Sequence, residues 1–416
     1  MSLVDPSESS SYEVLEEGGF SILYVDDSEA TGDYVTEDVT FSEGATVSGL
    51  QIGISLSNTV GVGIMGVGYS TNVATTKKYP NVIDEMQSQG LIETRAYSLY
   101  LDSRTSTHGS ILFGGIDTAK FIGELYTLPL QPRRSGEIDS FAVALTGLSI
   151  GTPGSLQPMT TQEFGIPVLL DSGTTLTYLP DQLVANLVDI LGGYDDIAKT
   201  GSIWVDCALI EDNPDHILAY KFGGPNGPTI NVPLREIIFD VPESAQQYFN
   251  LPWETTCYLG IQPSGDDPFY LLGDSFLRSA YVVYDLDNNQ LAIANTNFHS
   301  DDEEIIEITS GPLPEATGVV QSTTVIAEGT GAPGVIGDRT SGVVRTVTPT
   351  GTSGVGGGIT RQSVTPTSDA DADAEETGGD GENAAMGSFD RAANGVWMLT
   401  SIWGVAALLG AGLLLG

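Results

Sequence analysis

Basic residues are scarce in this 416-residue sequence, which has 15 Lys and Arg against 55 Asp and Glu and a formal net charge of −40. The imbalance is present already up to His299, where 39 acidic residues stand against 11 basic ones, a net charge of about −28. Because nucleic acids are bound mainly through Lys and Arg, no nucleic-acid partner is expected. Cationic ligands or an acidic working pH fit this charge better, although a secreted, soluble protein would show it equally.

Cysteine and histidine are also rare. Cys207 and Cys257 could pair in an oxidising compartment, where the loop-entropy model gives about 4 kcal/mol for a loop of this length; two separate buried thiols are the alternative. The three histidines, His108, His216 and His299, show no metal-ligand spacing. We therefore expect neither a metal nor another cofactor.

The two ends of the sequence differ in what they lack. Residues 1–8 are neither basic nor apolar, so they do not form a signal peptide. Residues 300–388 contain no Phe, Trp or Tyr and are rich in Gly, Thr, Ser and acidic residues. Such a composition buries too little surface to offset the entropy of ordering. We expect residues 300–382 to form a disordered stalk.

The last 21 residues, 396–416, form an uncharged apolar run. Small residues at 383–385 and a ten-residue spacer precede it, which is the layout of a GPI attachment signal whose tail is removed. This pattern predicts attachment at Asn383, membrane association through the GPI anchor and a place at the cell surface. A tail-anchored transmembrane helix is the alternative.

Residues 12–299 alternate short β-branched or aromatic runs with Gly, Asn and Asp, a pattern typical of an all-β fold. Residues 281–294 read as a hairpin with an Asp-Asn-Asn turn. Two helices are predicted. A short one covers residues 81–88, and a longer one follows Pro180-Asp181 and ends at Gly192-Gly193.

One stretch carries candidate chemistry: VLLDSGTTLTYLP at residues 168–180. Three aliphatic residues predict a buried strand that ends at Asp171, where Gly173 permits a tight turn and the following hydroxyls can bond the carboxylate. Such a carboxylate can act on water. Acid–base work on a peptide bond usually needs a second carboxylate that shares its proton.

Further segments resemble the pepsin-like aspartic protease family in matching order. These are SSSY at 9–12, FSILY at 20–24, ATGDY at 30–34, GIMGVG at 63–68, ILFGGID at 111–117 and YLLGDSFLR at 270–278. Together with the apolar end of the chain, they are most similar to fungal yapsin-type surface proteases. The resemblance covers residues 9–299.

The resemblance implies a bilobal fold in which each lobe contributes one Asp to a shared cleft. It implies that Asp171 is catalytic and that the flap residue Tyr24 closes over the peptide. It also implies that the residues after Asp171 contact the substrate, namely Ser172, Gly173, Thr174 and Thr175. A Cys207–Cys257 disulfide in the second lobe belongs to the same pattern.

The sequence departs from the family in having only one D-[ST]-G. Asp171 precedes Gly273 by 102 residues, and the same spacing before Gly66 would fall upstream of Met1. Asp5, Asp26 and Asp27 are not followed by [ST]-G. We therefore expect the sequence to be truncated at its amino terminus and this chain alone to be inactive.

These patterns predict four regions: an incomplete first lobe with the flap (1–128), a second lobe with Asp171 (129–299), the stalk (300–382) and the attachment signal (383–416). The predicted function is that of a monomeric aspartic endopeptidase acting on peptides or proteins. A non-catalytic wall or adhesion protein that uses the fold as a binding module is the alternative. A dimer sharing one Asp per chain is disfavoured, because residues 9–130 already supply most of a second lobe.

Overall fold

The computed structural model describes residues 6–24, 28–42, 44–60, 62–247, 249, 251–265, 269–318, 320, 325, 334–336, 388–392 and 396–400. Most of the regular structure in these residues is β-strand, as the sequence predicts. None of the helices in the described residues is long and apolar enough to cross a membrane.

The strands, in chain order, are β1 Glu13–Leu23, β2 Glu29–Ser42, β3 Ala45–Asn58, β4 Ala96–Tyr100, β5 Ser110–Phe113, β6 Gly115–Asp117, β7 Phe121–Pro129, β8 Ala142–Thr152, β9 Ser155–Pro158, β10 Ile166–Leu170, β11 Thr177–Leu179, β12 Tyr194–Asp195, β13 Ile203–Asp206, β14 Ile217–Phe222, β15 Thr229–Pro233, β16 Ile238–Asp240, β17 Thr256–Leu259, β18 Ile261–Pro263, β19 Tyr270–Leu272, β20 Ala280–Asp285, β21 Gln290–Thr296, β22 Ile305–Glu307, β23 Ala316–Thr317, β24 Ser388–Ala392 and β25 Val396–Thr400. The helices are α1 Val82–Ser88, α2 Asp181–Leu191, α3 Ile197–Thr200, α4 Leu209–Asp212, α5 Leu234–Ile237, α6 Glu243–Gln246 and α7 Asp274–Leu277, with 3-10 turns at Pro6–Glu8, Ser70–Asn72 and Thr118–Lys120.

The flap is the hairpin of β1 and β2, which β3 extends to a three-stranded antiparallel sheet. Its end is closed by the Tyr24 amide, which donates to the Ser28 carbonyl oxygen (2.8 Å). Phe20 packs edge-on against the buried Tyr34, with ring centroids 5.6 Å apart. The predicted flap hairpin is therefore confirmed, while residues 25–27 at its tip lie outside the described residues.

The second lobe is built on a sheet with the strand order β15-β14-β8-β10-β19-β11-β18. Its centre is parallel, since β10 pairs with β19 in the register Val168↔Tyr270 and Leu170↔Leu272. All three residues before Asp171 are buried, which explains their unbroken apolar sequence: parallel strands are covered on both faces.

A further eight-stranded sheet joins residues from both predicted lobes, in the order β23-β7-β21-β20-β4-β5-β25-β24. The predicted hairpin of β20 and β21 lies near its middle. Strand β25 pairs with β5 on one side and with β24 on the other, so the first five residues of the predicted attachment tail form an inner strand of this sheet. Asn383 and residues 401–416 lie outside the described residues.

Both predicted helices are confirmed. Asn81 caps α1 by accepting from the amides of Ile83 and Asp84, and the Asp84 side chain bonds back to the Asn81 amide. Helix α2 ends at Gly192, whose left-handed conformation (φ 65°) terminates the helical hydrogen bonding.

The Cys207–Cys257 disulfide is formed. Cys257 lies on β17 beside Val205 of β13, and Cys207 follows directly after β13. The pairing that the resemblance implied is therefore confirmed.

One expectation differs from the structure. The fold continues beyond the predicted boundary at residue 299, because β22 pairs with β6, and Ile308 and Leu313 are buried. Burial of these two apolar side chains stabilises the segment on the fold. The average composition of residues 300–382 is polar, and for that reason it predicted disorder for the whole range. Residues 63–68, whose sequence is similar to the segment that contains β19, form no strand in the part of the chain that the structure describes.

Candidate active site

Asp171 lies directly after β10, at the start of a tight turn that leads to β11. Its amide donates to the Leu272 carbonyl oxygen (3.1 Å), and its own carbonyl oxygen accepts from the Thr174 amide (3.3 Å). Strand β19 runs between β10 and β11, so the turn is anchored on both sides to one central strand. Asp171 therefore has a fixed backbone position.

The Asp171 carboxylate is held by two donors from its own turn. The Gly173 amide donates to Oδ1 (2.9 Å) and the Thr174 hydroxyl to Oδ2 (2.7 Å). Although part of the residue remains accessible, protein atoms surround the carboxylate, and this burial raises the pKa of Asp171. The two hydrogen bonds oppose the rise because they stabilise the charged form.

The segment after β19 stabilises the Asp171 turn through two backbone hydrogen bonds. The amides of Asp274 and Ser275 donate to the carbonyl oxygens of Thr174 (2.8 Å) and Thr175 (3.0 Å). Gly273 is required here, because a Cβ atom would lie 2.2 Å from the Thr174 carbonyl oxygen. The motif containing Gly273 thus packs against the Asp171 turn.

Asp274 is a second carboxyl group near Asp171, and it was not among the residues predicted for the site. It is only 8% exposed, and its Oδ1 has no hydrogen-bond partner among the described residues. Burial, reinforced by the charge of Asp171, raises the pKa of Asp274 to about 7, against the opposing effect of Arg278, whose guanidinium lies 3.9 Å from Oδ2. The one feature of the sequence that could have indicated it is a carboxylate placed among apolar residues, in YLLGDSFLR at 270–278.

Three aromatic residues lie near Asp171: Tyr97 on β4, Tyr284 on β20 and Phe141, which directly precedes β8. Tyr97 and Tyr284 stack with ring centroids 4.8 Å apart, and Phe141 meets Tyr284 edge-on at 4.7 Å. Burial and the charge of Asp171 both raise the pKa of Tyr284, so its phenol stays neutral. The surroundings of Asp171 are therefore apolar, and an electrostatic interaction there is stronger than in water.

The structure does not place all predicted site residues together. Tyr24 lines a cavity of about 400 Å³ between the flap and residues 63–69, and Asp171 is not among the residues lining it. Phe141 connects the two places, because it lines the cavity and its carbonyl oxygen accepts from the Leu170 amide. Ser172 is buried.

Gly173, Thr174 and Thr175 thus stabilise the turn, as their hydrogen bonds show. The substrate contacts implied for these residues, for Ser172 and for Tyr24 stay predictions, as does the catalytic role of Asp171. Among the described residues, no group of three or more His, Cys, Asp or Glu side chains is arranged to hold a metal ion.

Comparison with known proteins gives one consistent result. Residues 1–296 match the model of the family "Eukaryotic aspartyl protease". The chain is 40% identical over 337 residues to the probable aspartic-type endopeptidase opsB of Aspergillus fumigatus, and 38% identical over 305 residues to the acid protease of Saccharomycopsis fibuligera. It is 36% identical over 313 residues to aspartic proteinase 3 of Saccharomyces cerevisiae.

These matches cover 79%, 71% and 71% of this chain, and 66%, 71% and 51% of the respective relatives. The chain thus spans just under two thirds of the Aspergillus protein and about half of the Saccharomyces cerevisiae one. Among solved structures, the aspartic proteinase of Irpex lacteus superimposes with a TM-score of 0.55 at 24% identity. That match covers 73% of this chain and 87% of the Irpex chain, which shows the shared fold. The chain belongs to the eukaryotic aspartyl protease family.

Proposed function

We propose that this chain carries the Asp171 half of an aspartic endopeptidase, which hydrolyses peptide bonds in peptides or proteins. The observation that carries the proposal is the Asp171 turn: a carboxylate anchored by β10 and β19 and held by Gly173 and Thr174. Membership of the family and the names of the relatives support the same reaction.

The reaction uses Asp171 together with a second carboxylate that shares one proton with it. The ionised carboxylate removes a proton from a water molecule, whose oxygen attacks the carbonyl carbon of the peptide bond, while the protonated carboxyl hydrogen-bonds to the carbonyl oxygen. The apolar surroundings of Asp171 make this sharing favourable, because two neighbouring charges in a low dielectric repel strongly.

Asp274 does not fill the role of the second carboxylate. The residue is only 8% exposed and its Oδ1 is buried, so the carboxyl group is not open to a substrate water. The sequence contains no second D-[ST]-G. On this basis we propose that the 416-residue chain by itself does not cleave peptides.

We further propose that the protein is monomeric and acts at the cell surface, attached through a GPI anchor at Asn383. The supporting features are the small residues at 383–385, the spacer and the uncharged apolar run at 396–416. The formal charge of −40 suits cationic peptide segments as substrates.

Cleavage of a denatured protein substrate between pH 3 and 7, followed by mass spectrometry, tests the reaction. We expect no cleavage by the isolated chain. We expect cleavage by the protein purified from the cells that produce it, and loss of that cleavage when the gene carries Asp171→Asn. Cleavage by the isolated chain that Asp171→Asn abolishes would support the endopeptidase and refute inactivity alone.

The alternative is a non-catalytic wall or adhesion protein, and the single D-[ST]-G is the observation that favours it. It predicts that the protein from its natural source cleaves nothing, with or without Asp171→Asn. Retention of cleavage in the Asp171→Asn protein would contradict both functions.

A further inference from the structure

The chain continues beyond β23 and contacts the second lobe. We call its described residues in this part the strap: 316–318, 320, 325 and 334–336. The strap begins on β7, where Ala316 and Thr317 pair with that strand and the Val320 amide donates to the Thr127 carbonyl oxygen (2.9 Å). The Val320 side chain packs against the main core, and a Cβ atom on Gly223 would lie 3.2 Å from it. The strap therefore contacts both predicted lobes by residue 320.

The far end of the strap is bonded to the segment that follows β9. The Thr161 amide donates to the Gly334 carbonyl oxygen (2.7 Å), and the Ile336 amide donates to the Met159 carbonyl oxygen (3.0 Å). These two bonds have opposite directions, as in an antiparallel pair of strands. Residues 334–336 thus add a short strand-like segment to the second lobe.

Side chains strengthen the attachment of this end. Val335, which faces Thr160 across the bridge, is partly buried and packs against the main core. Asn186 of α2 is only 4% exposed, and its side-chain amide donates to the Ile336 carbonyl oxygen. An apolar contact and a buried donor therefore hold the end of the strap in place in addition to the backbone bonds.

Between its ends the strap contacts the connector, residues 130–141, which joins β7 to β8. The Val325 amide donates to Oε1 of Gln131 (2.8 Å), and Gln131 is only 3% exposed. The Gln131 amide in turn donates to the Ala142 carbonyl oxygen (2.8 Å) and closes the base of the connector. A Cβ atom on Gly165 would lie 3.6 Å from the Val325 side chain, and Gly165 directly precedes β10. Val325 therefore links the connector to the start of the strand that ends at Asp171.

The connector reaches both parts of the candidate site. Asp139, Ser140 and Phe141 line the cavity under the flap. The Phe141 carbonyl oxygen accepts from the Leu170 amide (3.2 Å), directly before Asp171. We propose that the strap is a latch on the connector: while it is docked it holds the flap cavity and the Asp171 turn together, and its release loosens the connector. The consequence for catalysis rests on the proposed role of Asp171, whereas the test measures the latch itself.

Gly334→Val in the full chain releases the far end of the strap without changing either lobe. Gly334 has a left-handed backbone (φ 83°), and a Cβ atom there would lie 2.7 Å from the Phe164 amide nitrogen and from the Thr161 hydroxyl oxygen. Gly318→Val is the matched control, because it makes the same substitution in the strap at a position where a Cβ atom meets nothing within 4 Å.

Amide hydrogen exchange, resolved to single residues by fragmentation mass spectrometry, is the first measurement. In Gly334→Val we expect exchange at Thr161 to become at least about tenfold faster and exchange at Gln131 at least about threefold faster. Gly318→Val should leave both rates unchanged. Trypsin cleavage after the exposed Arg134 of the connector is the second measurement, with cleavage after the exposed Lys199 of α3 as the internal reference. Only Gly334→Val should accelerate cleavage after Arg134 relative to Lys199.

Val325→Pro tests the contact with the connector directly, because proline has no amide hydrogen to donate to Gln131. We expect faster exchange at Gln131 while Thr161 keeps its protection. Should Gly334→Val also accelerate exchange throughout β20 and β21, it disturbs the whole fold, and Val325→Pro alone decides.

Three results would overturn the latch. In Gly334→Val they are unchanged exchange at Thr161, or faster exchange there with the connector still fully protected. In Val325→Pro it is unchanged exchange at Gln131.

Discussion

Asp274 shows how burial of one carboxyl group makes stability depend on pH. Its pKa is about 7 in the folded chain and near 3.8 when exposed. Below pH 3.8 the group is protonated in both states and has no effect. As the pH rises from 3.8 through 7, the unfolded chain ionises first, so the folded state loses stability, and the full cost persists above pH 7.

Asp274→Asn should therefore stabilise the chain at neutral pH, because the amide has no charge to bury. We expect a gain on the order of 1–4 kcal/mol at pH 7.5 and almost none at pH 3.5, measured by urea unfolding. Asp189→Asn, at an exposed position on α2, is the control and should change stability by about 0.5 kcal/mol or less at both pH values. An equal gain for Asp274→Asn at both pH values would contradict the assigned cause.

Asp171 and Asp274 differ in how far the sequence alone predicts their place in the structure. Asp171 was found because an aliphatic run, a turn glycine and hydroxyl residues together describe a carboxylate at a strand end. Asp274 was missed because its significance depends on the distance to Asp171, which lies 103 positions earlier in the sequence and becomes close only through the pairing of β10 with β19.

Among the elements, two segments share a pattern of two apolar residues before a glycine, residues 63–68 and residues 270–278, and they differ in structure. β19 is paired on both sides, whereas residues 63–68 form no strand among the described residues. Both segments contain two apolar residues followed by a glycine, so their local sequences do not distinguish them. A strand forms only where neighbouring strands supply hydrogen-bond partners. Six residues of sequence do not show which neighbours will be present, so they do not predict whether the strand forms.

This difference gives a prediction for Gly273, with Gly68 of the 63–68 segment as the control. Gly273→Ala should destabilise the chain by roughly 3 kcal/mol or more, because its Cβ would lie 2.2 Å from the Thr174 carbonyl oxygen and 2.3 Å from that of Leu176. Gly68→Ala meets nothing within 4 Å and should cost about 0.5 kcal/mol or less. Chemical denaturation measures both. Equal losses would mean that the bracing of the Asp171 turn has been misassigned.

At the scale of the whole molecule, the eight-stranded sheet unites segments that the sequence assigned to separate regions. Residues 96–129 and 280–296 form its centre, and Ala316–Thr317 extends it in parallel with β7. The folded part therefore does not end at His299. Composition averaged over residues 300–382 concealed this, because a few apolar side chains among many polar ones are enough to attach a segment to an existing core.

The attachment of residues 300–318 should contribute measurably to global stability. Ile308 is 1% exposed and Leu313 4% exposed, and the Ile308 carbonyl oxygen accepts from the Thr94 hydroxyl (3.0 Å). We expect Ile308→Ala/Leu313→Ala in the full chain to lower the free energy of unfolding by at least about 3 kcal/mol. Leu156→Ala, at a 37% exposed position on β9, should cost about 1 kcal/mol or less.

The same pair of variants separates an attached segment from a stalk. If residues 300–318 belonged to the stalk, the double variant would unfold at the same urea concentration as the parent chain. If they are part of the core, it unfolds at a lower concentration, and amide hydrogen exchange at β22 and at its partner β6 accelerates together, since each strand pairs with the other. Faster exchange at β22 alone, with β6 still protected, would show that the segment lies on the core without supporting it.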